Sequence, residues 1–298
     1  MDSRTEPADS ASESASEPEP PDAAIPPGVS RDAAAPVRPH DTVARPPLLR
    51  ELLLVVGLFV VYKAGRLLAT GHTDQAFADA HRVWDWERFL HLPDEGALQG
   101  TLLHSDSLVH IANTYYATVH FPATAAFLVW LYLRRPAHYV WARRVLALVT
   151  AAALVGHLTF PLAPPRLLAE TGLVDTGQVY GPTVYGAHPA TDAMANQFAA
   201  MPSLHFGWAL MVAIGLIAAT RSRLRPLWLL HPLLTLLVIV GTANHYWLDA
   251  IAATALLCIA LAAVHPPHRT VTTAGRHKEH DLAEVPVRDL PALVGAGR

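Results

Sequence analysis

The chain has 298 residues, of which 52% are hydrophobic and 16% are charged, whereas about 25% of residues are charged in a typical soluble protein. The mean hydropathy is +0.26, which favours an integral membrane protein over a pair of soluble domains. The formal net charge of −3 excludes the strong positive field that binds nucleic acid. A single cysteine, Cys258, excludes an internal disulfide and a cysteine-based zinc site.

The first 47 residues are low in complexity. They contain ten prolines, nine acidic residues and four arginines, and almost no clustered aliphatic side chains. Such a segment buries too little apolar surface to offset the entropy of ordering, so residues 1–47 are predicted to be a disordered tail. Residues 265–298 are polar as well and form a second predicted tail.

Between the two tails, residues 48–264 alternate long apolar stretches with short polar ones. A membrane-spanning helix needs about 20 mostly apolar residues. The pattern predicts an all-α integral membrane bundle of six transmembrane helices, and residues 76–104, which mix Trp84, Trp86 and Phe89 with charges, predict helices lying at the membrane interface. The predicted spans are 48–70, 107–133, 144–163, 201–220, 226–243 and 246–264.

The distribution of arginine predicts how these spans are oriented. Arginines cluster at 134–144 between spans two and three, at 221–225 between spans four and five, and in the C-terminal tail. Because basic loops stay in the cytoplasm, both termini of this multi-pass cell-membrane protein are predicted to be cytoplasmic. The opposite ends of the spans are then extracytoplasmic.

Three polar clusters interrupt the apolar pattern. Residues 161–166 close span three, residues 201–205 open span four and residues 244–249 open span six. The orientation given by the arginines puts all three clusters at the extracytoplasmic face, although the clusters were not used to assign it. Ionisable residues inside spans are costly and mark functional sites, so we expect a site where the three clusters meet.

Together these clusters contain the groups that phosphoryl transfer needs without a metal or any other cofactor. His245 and Asp249 are four residues apart on one helix face, so the carboxylate can orient the imidazole as a nucleophile. His205 on another helix is a candidate general acid, and Arg166 offers a planar fork of donors to phosphate oxygens. Ser203 lies near a helix N-terminus, where free N–H groups favour an anion.

Each of these groups has a simpler interpretation on its own. A histidine and an aspartate four residues apart often form a structural hydrogen bond, and one arginine at the end of a span can anchor a lipid headgroup. Two histidines and an aspartate could also bind zinc, but zinc would leave Arg166 unexplained beside a second cation. Their joint occurrence at one face favours the catalytic interpretation.

Span two carries a further set of polar residues. His110, Asn113 and His120 share one helix face and could line a headgroup pocket, although interhelical hydrogen bonds would explain them equally well. Tyr116 of the same span and Asn244 of the third cluster complete the predicted headgroup pocket with Asn113 and His120. The outer loop 167–199 is long enough to act as a lid and is predicted to shape the choice of acceptor.

These motifs resemble the type-2 phosphatidic acid phosphatase superfamily, and more narrowly its branch that includes inositol-phosphorylceramide synthase. The resemblance covers residues from about 50 to 264 and leaves both tails uncovered. The combination of Pro-Ser-x-His with His-x-x-x-Asp is specific for the superfamily. The matching stretches are Phe160–Arg166, Ala200–His205, His245–Asp249 and, for the narrower branch, Asn113–Tyr116 with His120–Phe121.

The resemblance implies a role for each matching residue. His245 would be the nucleophile that forms a phosphohistidine, and Asp249 would be its orienting carboxylate. His205 would protonate the leaving oxygen, and Arg166 would bind phosphate. The implied enzyme is a metal-independent lipid phosphatase or phosphotransferase.

The chain also departs from the pattern of the superfamily. The family has a lysine where this chain has Thr159, a Ser-Arg pair at the positions of Val238 and Ile239, and usually a glycine at the position of Leu204. The phosphate clamp, meaning the side chains around Arg166 that would bind the phosphoryl oxygens, is therefore less cationic than in ordinary lipid phosphatases. This favours transfer of the headgroup of a phosphodiester lipid, as in an inositolphosphotransferase, over hydrolysis of a phosphomonoester.

The predicted protein is thus an enzyme of lipid metabolism that acts on a lipid phosphate ester within the bilayer, at the extracytoplasmic face. Whether water or an alcohol accepts the phosphoryl group, and whether the protein forms oligomers, stay open. The alternative class is a multi-span transporter or lipid-binding protein that uses the same polar pocket. The absence of a repeated pattern of broken helices in the two halves of the chain disfavours a transporter.

Overall fold

The computed structural model describes residues 45–68, 72–184 and 197–267, and there the chain is all-helical apart from one isolated bridge between Leu162 and Ala199. Almost all of both predicted tails lies outside these residues. The helices are α1 (Leu48–Leu68), α2 (Thr73–Phe89), α3 (Glu95–Leu103), α4 (Asp106–Thr118), α5 (His120–Arg134), α6 (Pro136–Thr159), α7 (Thr176–Tyr180), α8 (Leu204–Ala219), α9 (Leu230–Gly241) and α10 (Trp247–Ala263). Short 3₁₀ turns cover Pro165–Leu167, Ala169–Thr171 and Arg225–Leu229.

All six predicted spans are helical, but their lengths differ from the prediction. Among the described residues, α6 is the helix that is long and apolar enough to cross a membrane by itself, and α4 with α5 passes the same test as a bent pair. α8, α10 and the segment Arg225–Gly241 that contains α9 are apolar but have 10–17 residues each. The all-helical architecture is therefore confirmed, whereas a six-span arrangement in a membrane stays a proposal.

The predicted span 107–133 consists of two helices, α4 and α5, that meet at an angle of 48°. The break lies at Val119, the residue between them. Pro122 in the first turn of α5 explains the break, because its ring has no N–H to donate and would clash with the carbonyl of Thr118 in a continuous helix. The bend turns α4 away from the axis of α5.

α6 and α8 form the centre of the bundle. α6 packs against α1, α5, α8 and α10, and α8 packs against α5, α9 and α10. Large apolar side chains fill the space between them, including Leu131, Val145, Val149, Met211 and Leu257, each of which is at most 2% exposed. Close van der Waals packing of these side chains holds the helices together.

The segment predicted to lie at the membrane interface forms α2 and α3. Ala76, Ala80 and Val83 on one face of α2 are fully buried in a cluster that also contains Leu162 and Tyr246. The other face of α2 leaves Trp86 and Phe89 exposed to 52% and 79%. The buried face thus supports the segments that carry the polar clusters, whereas the position of these helices at a membrane interface stays a prediction.

Candidate active site

His245 lies in the turn that joins α9 to α10. Ala243 in this turn has a φ of 54°, a left-handed conformation that is uncommon for alanine. The N–H groups of Asn244 and His245 both donate to the carbonyl of Ile239, at 3.0 and 3.1 Å. This turn reverses the direction of the chain and brings the side chain of His245 to the N-terminal end of α10. His245 is only 5% exposed there.

The imidazole of His245 is paired with Asp249 in the first turn of α10. Nδ1 of His245 lies 3.0 Å from Oδ2 of Asp249, and the same oxygen accepts the N–H of Tyr246 at 3.0 Å. The carbonyl of Asp249 in turn accepts the N–H of Ser203 at 3.1 Å. When Nδ1 carries the proton in this pair, the lone pair on Nε2 is left for a reaction.

His205 lies in the first turn of α8, at the same end of the bundle as His245. The two imidazole rings have centroids 5.8 Å apart. The ring of His205 stacks on Tyr116 at 4.6 Å and contacts His120 at 4.5 Å. Ser203 is the N-cap of α8, and its hydroxyl oxygen accepts the N–H of Phe206 at 3.3 Å. The N-termini of α8 and α10 therefore lie side by side, where free N–H groups and helix dipoles favour an anion.

The start of α8 is held against the end of α6. The ring of His157 on α6 is hydrogen-bonded through Nε2 to the carbonyl of Pro202, at 3.2 Å. Gly156 allows the close approach, because a Cβ at this position would lie 3.0 Å from Cδ of Pro202. These contacts fix the direction in which α8 begins and, with it, the position of His205.

Arg166 reaches the site from the 3₁₀ turn that follows α6. Its backbone N–H donates to the carbonyl of Ala243 at 3.0 Å, which ties it to the turn that carries His245. Its side chain is 2% exposed and is surrounded by three oxygen atoms. Nη1 donates to Oδ1 of Asn244 at 2.6 Å, Nη2 donates to Oε1 of Gln197 at 2.9 Å, and Nε lies 3.2 Å from Oδ2 of Asp175.

The surroundings keep the imidazole of His245 neutral. Burial lowers the pKa of His245 to about 3, and the nearby charge of Arg166 lowers it in the same direction, whereas the carbonyl of Ala200 opposes the change. A group with this pKa is uncharged at neutral pH. A neutral imidazole has the lone pair that a nucleophile or a base requires.

The positions at which the chain departs from the superfamily pattern do not add a cation. The hydroxyl of Thr159 donates to its own helix, to the carbonyl of Val155 at 2.9 Å. Val238 and Ile239 are 6% and 1% exposed and pack in an apolar cluster with Tyr116. Arg166 therefore carries the positive charge that the structure puts next to His245.

The four residues predicted for a headgroup pocket fall into two groups. Tyr116 and His120 line a small cavity next to His205, whose other walls include Tyr115 and His231. The two asparagines instead hold other parts of the site. Asn244 accepts from Arg166 and donates to the hydroxyl of Thr242 at 2.8 Å.

Asn113 on α4 is hydrogen-bonded to the outer loop. Its amide nitrogen donates to the carbonyls of Thr176 and Gly181, at 2.8 and 3.1 Å, and its amide oxygen accepts the hydroxyl of Thr176 at 2.9 Å. The outer loop is described as far as residue 184 and again from residue 197. Its first half is thus fixed to α4 through Asn113.

Sequence reasoning missed two of the partners of Arg166 as site residues. Gln197 carries no sequence signal, because it reaches Arg166 only through the pairing of the segment at Phe198 with Leu162, where Leu162 N–H donates to Phe198 at 2.8 Å. Asp175 had a signal. An aspartate three residues before Gln178 is typical of a helix N-terminus, and Asp175 does cap α7.

The residues that surround His245 do not form a metal site. Within the part of the chain that the structure describes, no group of three or more histidine, cysteine, aspartate or glutamate side chains is arranged to hold a metal ion. The positive charge of Arg166 lies close enough to His245 to lower the pKa of that histidine. The same charge would repel a metal ion bound to His245. The arrangement instead combines an oriented imidazole, a second histidine and a buried guanidinium.

A family model of the PAP2 superfamily matches the chain over residues 81–263. The matched region covers more than half of the chain and contains His205, His245, Asp249 and Arg166. The chain belongs to the PAP2 superfamily. Membership identifies it as an enzyme of the phosphatase type, whose substrates are lipid-like phosphate esters. Searches of curated proteins and of solved structures gave no significant match.

Proposed function

We propose that the protein is a membrane lipid phosphotransferase that works through a phosphohistidine on His245. The observation that carries the proposal is the convergence of three separate chain segments, in which Arg166 and the half-buried His205 both lie close to the buried His245–Asp249 pair. The family supplies the reaction type, and the contacts supply a role for each residue. No metal or other cofactor takes part in the proposed reaction.

In the first half of the reaction, Nε2 of His245 attacks the phosphorus of a lipid phosphate ester. The bond between phosphorus and the lipid oxygen breaks, and the electron pair stays on that oxygen, which takes a proton from His205. Asp249 stabilises the positive charge that develops on the imidazole. The guanidinium of Arg166, the Ser203 hydroxyl and the N-terminus of α8 stabilise the phosphoryl oxygens.

In the second half, the oxygen of water or of an alcohol attacks the phosphorus. Its proton passes to His205, the bond between phosphorus and Nε2 breaks, and His245 returns to its neutral form. A phosphodiester donor leaves a lipid alcohol such as diacylglycerol in the bilayer, while His245 holds the phosphorylated headgroup. The less cationic clamp favours this monoanionic donor, so we propose headgroup transfer as the main activity.

The acceptor would enter beside His205. The small cavity lined by Tyr116 and His120 lies next to the ring that has to take its proton. It has room for about one water molecule, so an alcohol would have to push aside the side chains that line it. Asn113 and Asn244 would shape this pocket by fixing the outer loop and Arg166, respectively. An alcohol there would compete with water for the phosphohistidine.

We further propose that seven helices form six spans of the cell membrane, with both termini in the cytoplasm and the active site at the extracytoplasmic face. The spans are α1, the bent pair α4–α5, α6, α8, α9 and α10. The support is the distribution of charge. Arg221 and Arg223 follow the C-terminal end of α8, whereas His205 lies at its N-terminal end. Sixteen helical residues separate the two ends by about 24 Å.

The test is to trap the intermediate and to compare donors. Purified enzyme is mixed with a lipid phosphodiester whose headgroup and phosphorus are labelled, and the protein is recovered in alkali, where phosphohistidine is stable. We expect label on wild-type protein and on the control His110→Ala, which replaces an exposed histidine of α4, and none on His245→Ala. Label that persists in His245→Ala would refute the proposed nucleophile.

The same preparation decides between donors. We expect a higher kcat/KM for the phosphodiester than for phosphatidic acid, with transfer to an added alcohol detectable beside hydrolysis. A clear preference for phosphatidic acid would class the protein with ordinary lipid phosphatases. The proposed phosphohistidine intermediate would be unaffected by that result.

A further inference from the structure

The side chains around Arg166, which would bind the phosphate, include a carboxylate. Two of the three oxygens around the Arg166 side chain belong to neutral amides, Asn244 and Gln197, but the third belongs to the carboxylate of Asp175. The side chain of Asp175 is 22% exposed, whereas that of Arg166 is 2% exposed. A phosphate that binds Arg166 therefore comes close to a negative charge that is only partly screened by solvent.

The backbone around Asp175 is fixed on both sides. Before it, Val174 exchanges two hydrogen bonds with the side-chain amide of Gln99 on α3, at 2.8 and 2.9 Å. After it, the buried Thr176 is bonded to Asn113 on α4. The carboxylate itself uses Oδ1 to cap α7, accepting the N–H of Gln178 at 3.0 Å, which leaves Oδ2 for Arg166.

We propose that Asp175 sets the charge of the donor that the site accepts, by disfavouring dianionic phosphomonoesters relative to monoanionic phosphodiesters. This inference rests on the proposed function and names a residue that selects the substrate. The carboxylate reduces the net positive charge of the clamp for both donors. Since repulsion scales with the charge of the substrate, the second negative charge of a phosphomonoester adds a penalty that a phosphodiester does not have.

The structure offers a substitution that removes the charge and keeps the shape. Asparagine is as good an N-cap as aspartate, so the single side-chain oxygen of Asp175→Asn retains the bond to Gln178, and an uncharged NH2 group replaces the oxygen that faces Arg166. For a single charge several ångström away at a partly screened site, we expect the ratio of kcat/KM for phosphatidic acid to kcat/KM for the phosphodiester to rise about tenfold. Asp175→Glu, which keeps the charge, should retain the wild-type ratio.

A second readout separates charge selection from a structural effect. Phosphomonoesters lose their second proton at a pH of roughly 6, so phosphatidic acid becomes monoanionic below that pH. In the wild-type enzyme the ratio of kcat/KM values should therefore rise as the pH falls from 8 to 5. In Asp175→Asn this rise should be clearly smaller.

The matched control is Glu170→Gln. Glu170 belongs to the same outer segment and also bears a negative charge, but its side chain is 44% exposed and pairs with Nδ1 of His81 at 2.6 Å instead of with Arg166. We expect its donor ratio to equal that of the wild type. Glu170→Gln could also shift the ratio as far as Asp175→Asn does. Any negative charge in the outer segment would then affect the choice of donor, and the assignment of Asp175 would be overturned.

Failure of this inference can be told apart from failure of the proposed function. An unchanged ratio in an active Asp175→Asn enzyme overturns the role of Asp175 while the phosphohistidine stands. Loss of both activities in Asp175→Asn also overturns it, because the carboxylate would then be needed for turnover and not for selection. Wild-type protein that acquires no label from either donor overturns the proposed function itself.

Discussion

Oδ2 of Asp249 lies 3.0 Å from Nδ1 of His245 and accepts a second hydrogen bond from the N–H of Tyr246. The carboxylate is fully buried and is held at the first turn of α10 by its own backbone. One oxygen atom therefore fixes the ring orientation of His245. We propose that the negative charge of this carboxylate stabilises the phosphorylated imidazole.

The first prediction separates these two effects. Asp249→Asn keeps an oxygen that can accept both hydrogen bonds but removes the charge, so the fold should survive while kcat falls by about 10²–10⁴. His245→Ala should abolish turnover altogether. Rates are compared in purified enzyme whose thermal unfolding matches the wild type. An Asp249→Asn enzyme with wild-type kcat would mean that the charge has no role in catalysis.

The second prediction concerns His205 as the acid. Its ring lies at a centroid distance of 5.8 Å from that of His245, within reach of the oxygen that leaves a phosphorus bound between them. His205→Ala should lower the rate by about 10²–10⁴ for a lipid alcohol as leaving group. A donor with a nitrophenol leaving group needs no proton and should lose much less. An equal loss for both donors would assign His205 to binding and not to proton transfer.

The third prediction concerns metal. In the proposed chemistry the guanidinium of Arg166, which Asn244 and Gln197 hold in place, supplies the positive charge for the phosphoryl oxygens. The reaction therefore needs no metal ion. Activity should persist in excess chelator, with a metal-dependent phosphatase inactivated in parallel as the control. Loss of activity on chelation, followed by recovery on addition of zinc or magnesium, would replace the phosphohistidine scheme with a metal mechanism.

The sequence predicted those parts of the structure that depend on local pattern. The apolar stretches predicted all helical segments of the bundle, and the spacing of His245 and Asp249 predicted their contact. The bend at Val119 was missed because apolar composition does not register Pro122, whose effect is steric. The contacts of Asn113 with Thr176 and of Arg166 with Gln197 join residues 63 and 31 positions apart, and only the path of the chain determines them.

The fourth prediction tests the orientation of the bundle. In a Cys258→Ala background, a cysteine at the exposed position Val184 in the outer loop should react with an impermeant thiol reagent in intact cells. A cysteine at the exposed position Arg223, beyond the other end of α8, should react only after lysis. Each variant is also labelled after lysis to show that the thiol is reactive. The reverse pattern would put the active site in the cytoplasm.

The last prediction concerns a buried carboxyl group that supports the first turn of α10. Glu87 of α2 is fully buried, and its Oε1 accepts the N–H of Leu248 at 2.8 Å. Burial, assisted by the facing carboxyl of Glu95, raises the pKa of Glu87 from 4.5 to about 9. Glu95 itself is bound to Arg88 at 2.6 Å, and Asp249 adds a smaller repulsion. We therefore expect Glu87 to be protonated in the folded chain at neutral pH.

The sign of the resulting pH dependence follows from proton binding. Between pH 4.5 and pH 9 the folded chain holds a proton on Glu87 that the unfolded chain has lost, so the free energy of unfolding falls as the pH rises, by up to about 1.4 kcal/mol per pH unit. Glu87→Gln has no proton to lose, and its amide oxygen can still accept the N–H of Leu248. Its stability relative to the wild type should therefore increase from pH 5 to pH 8, as measured by denaturation in detergent. A difference between Glu87→Gln and the wild type that does not change with pH would show that Glu87 is ionised in the fold.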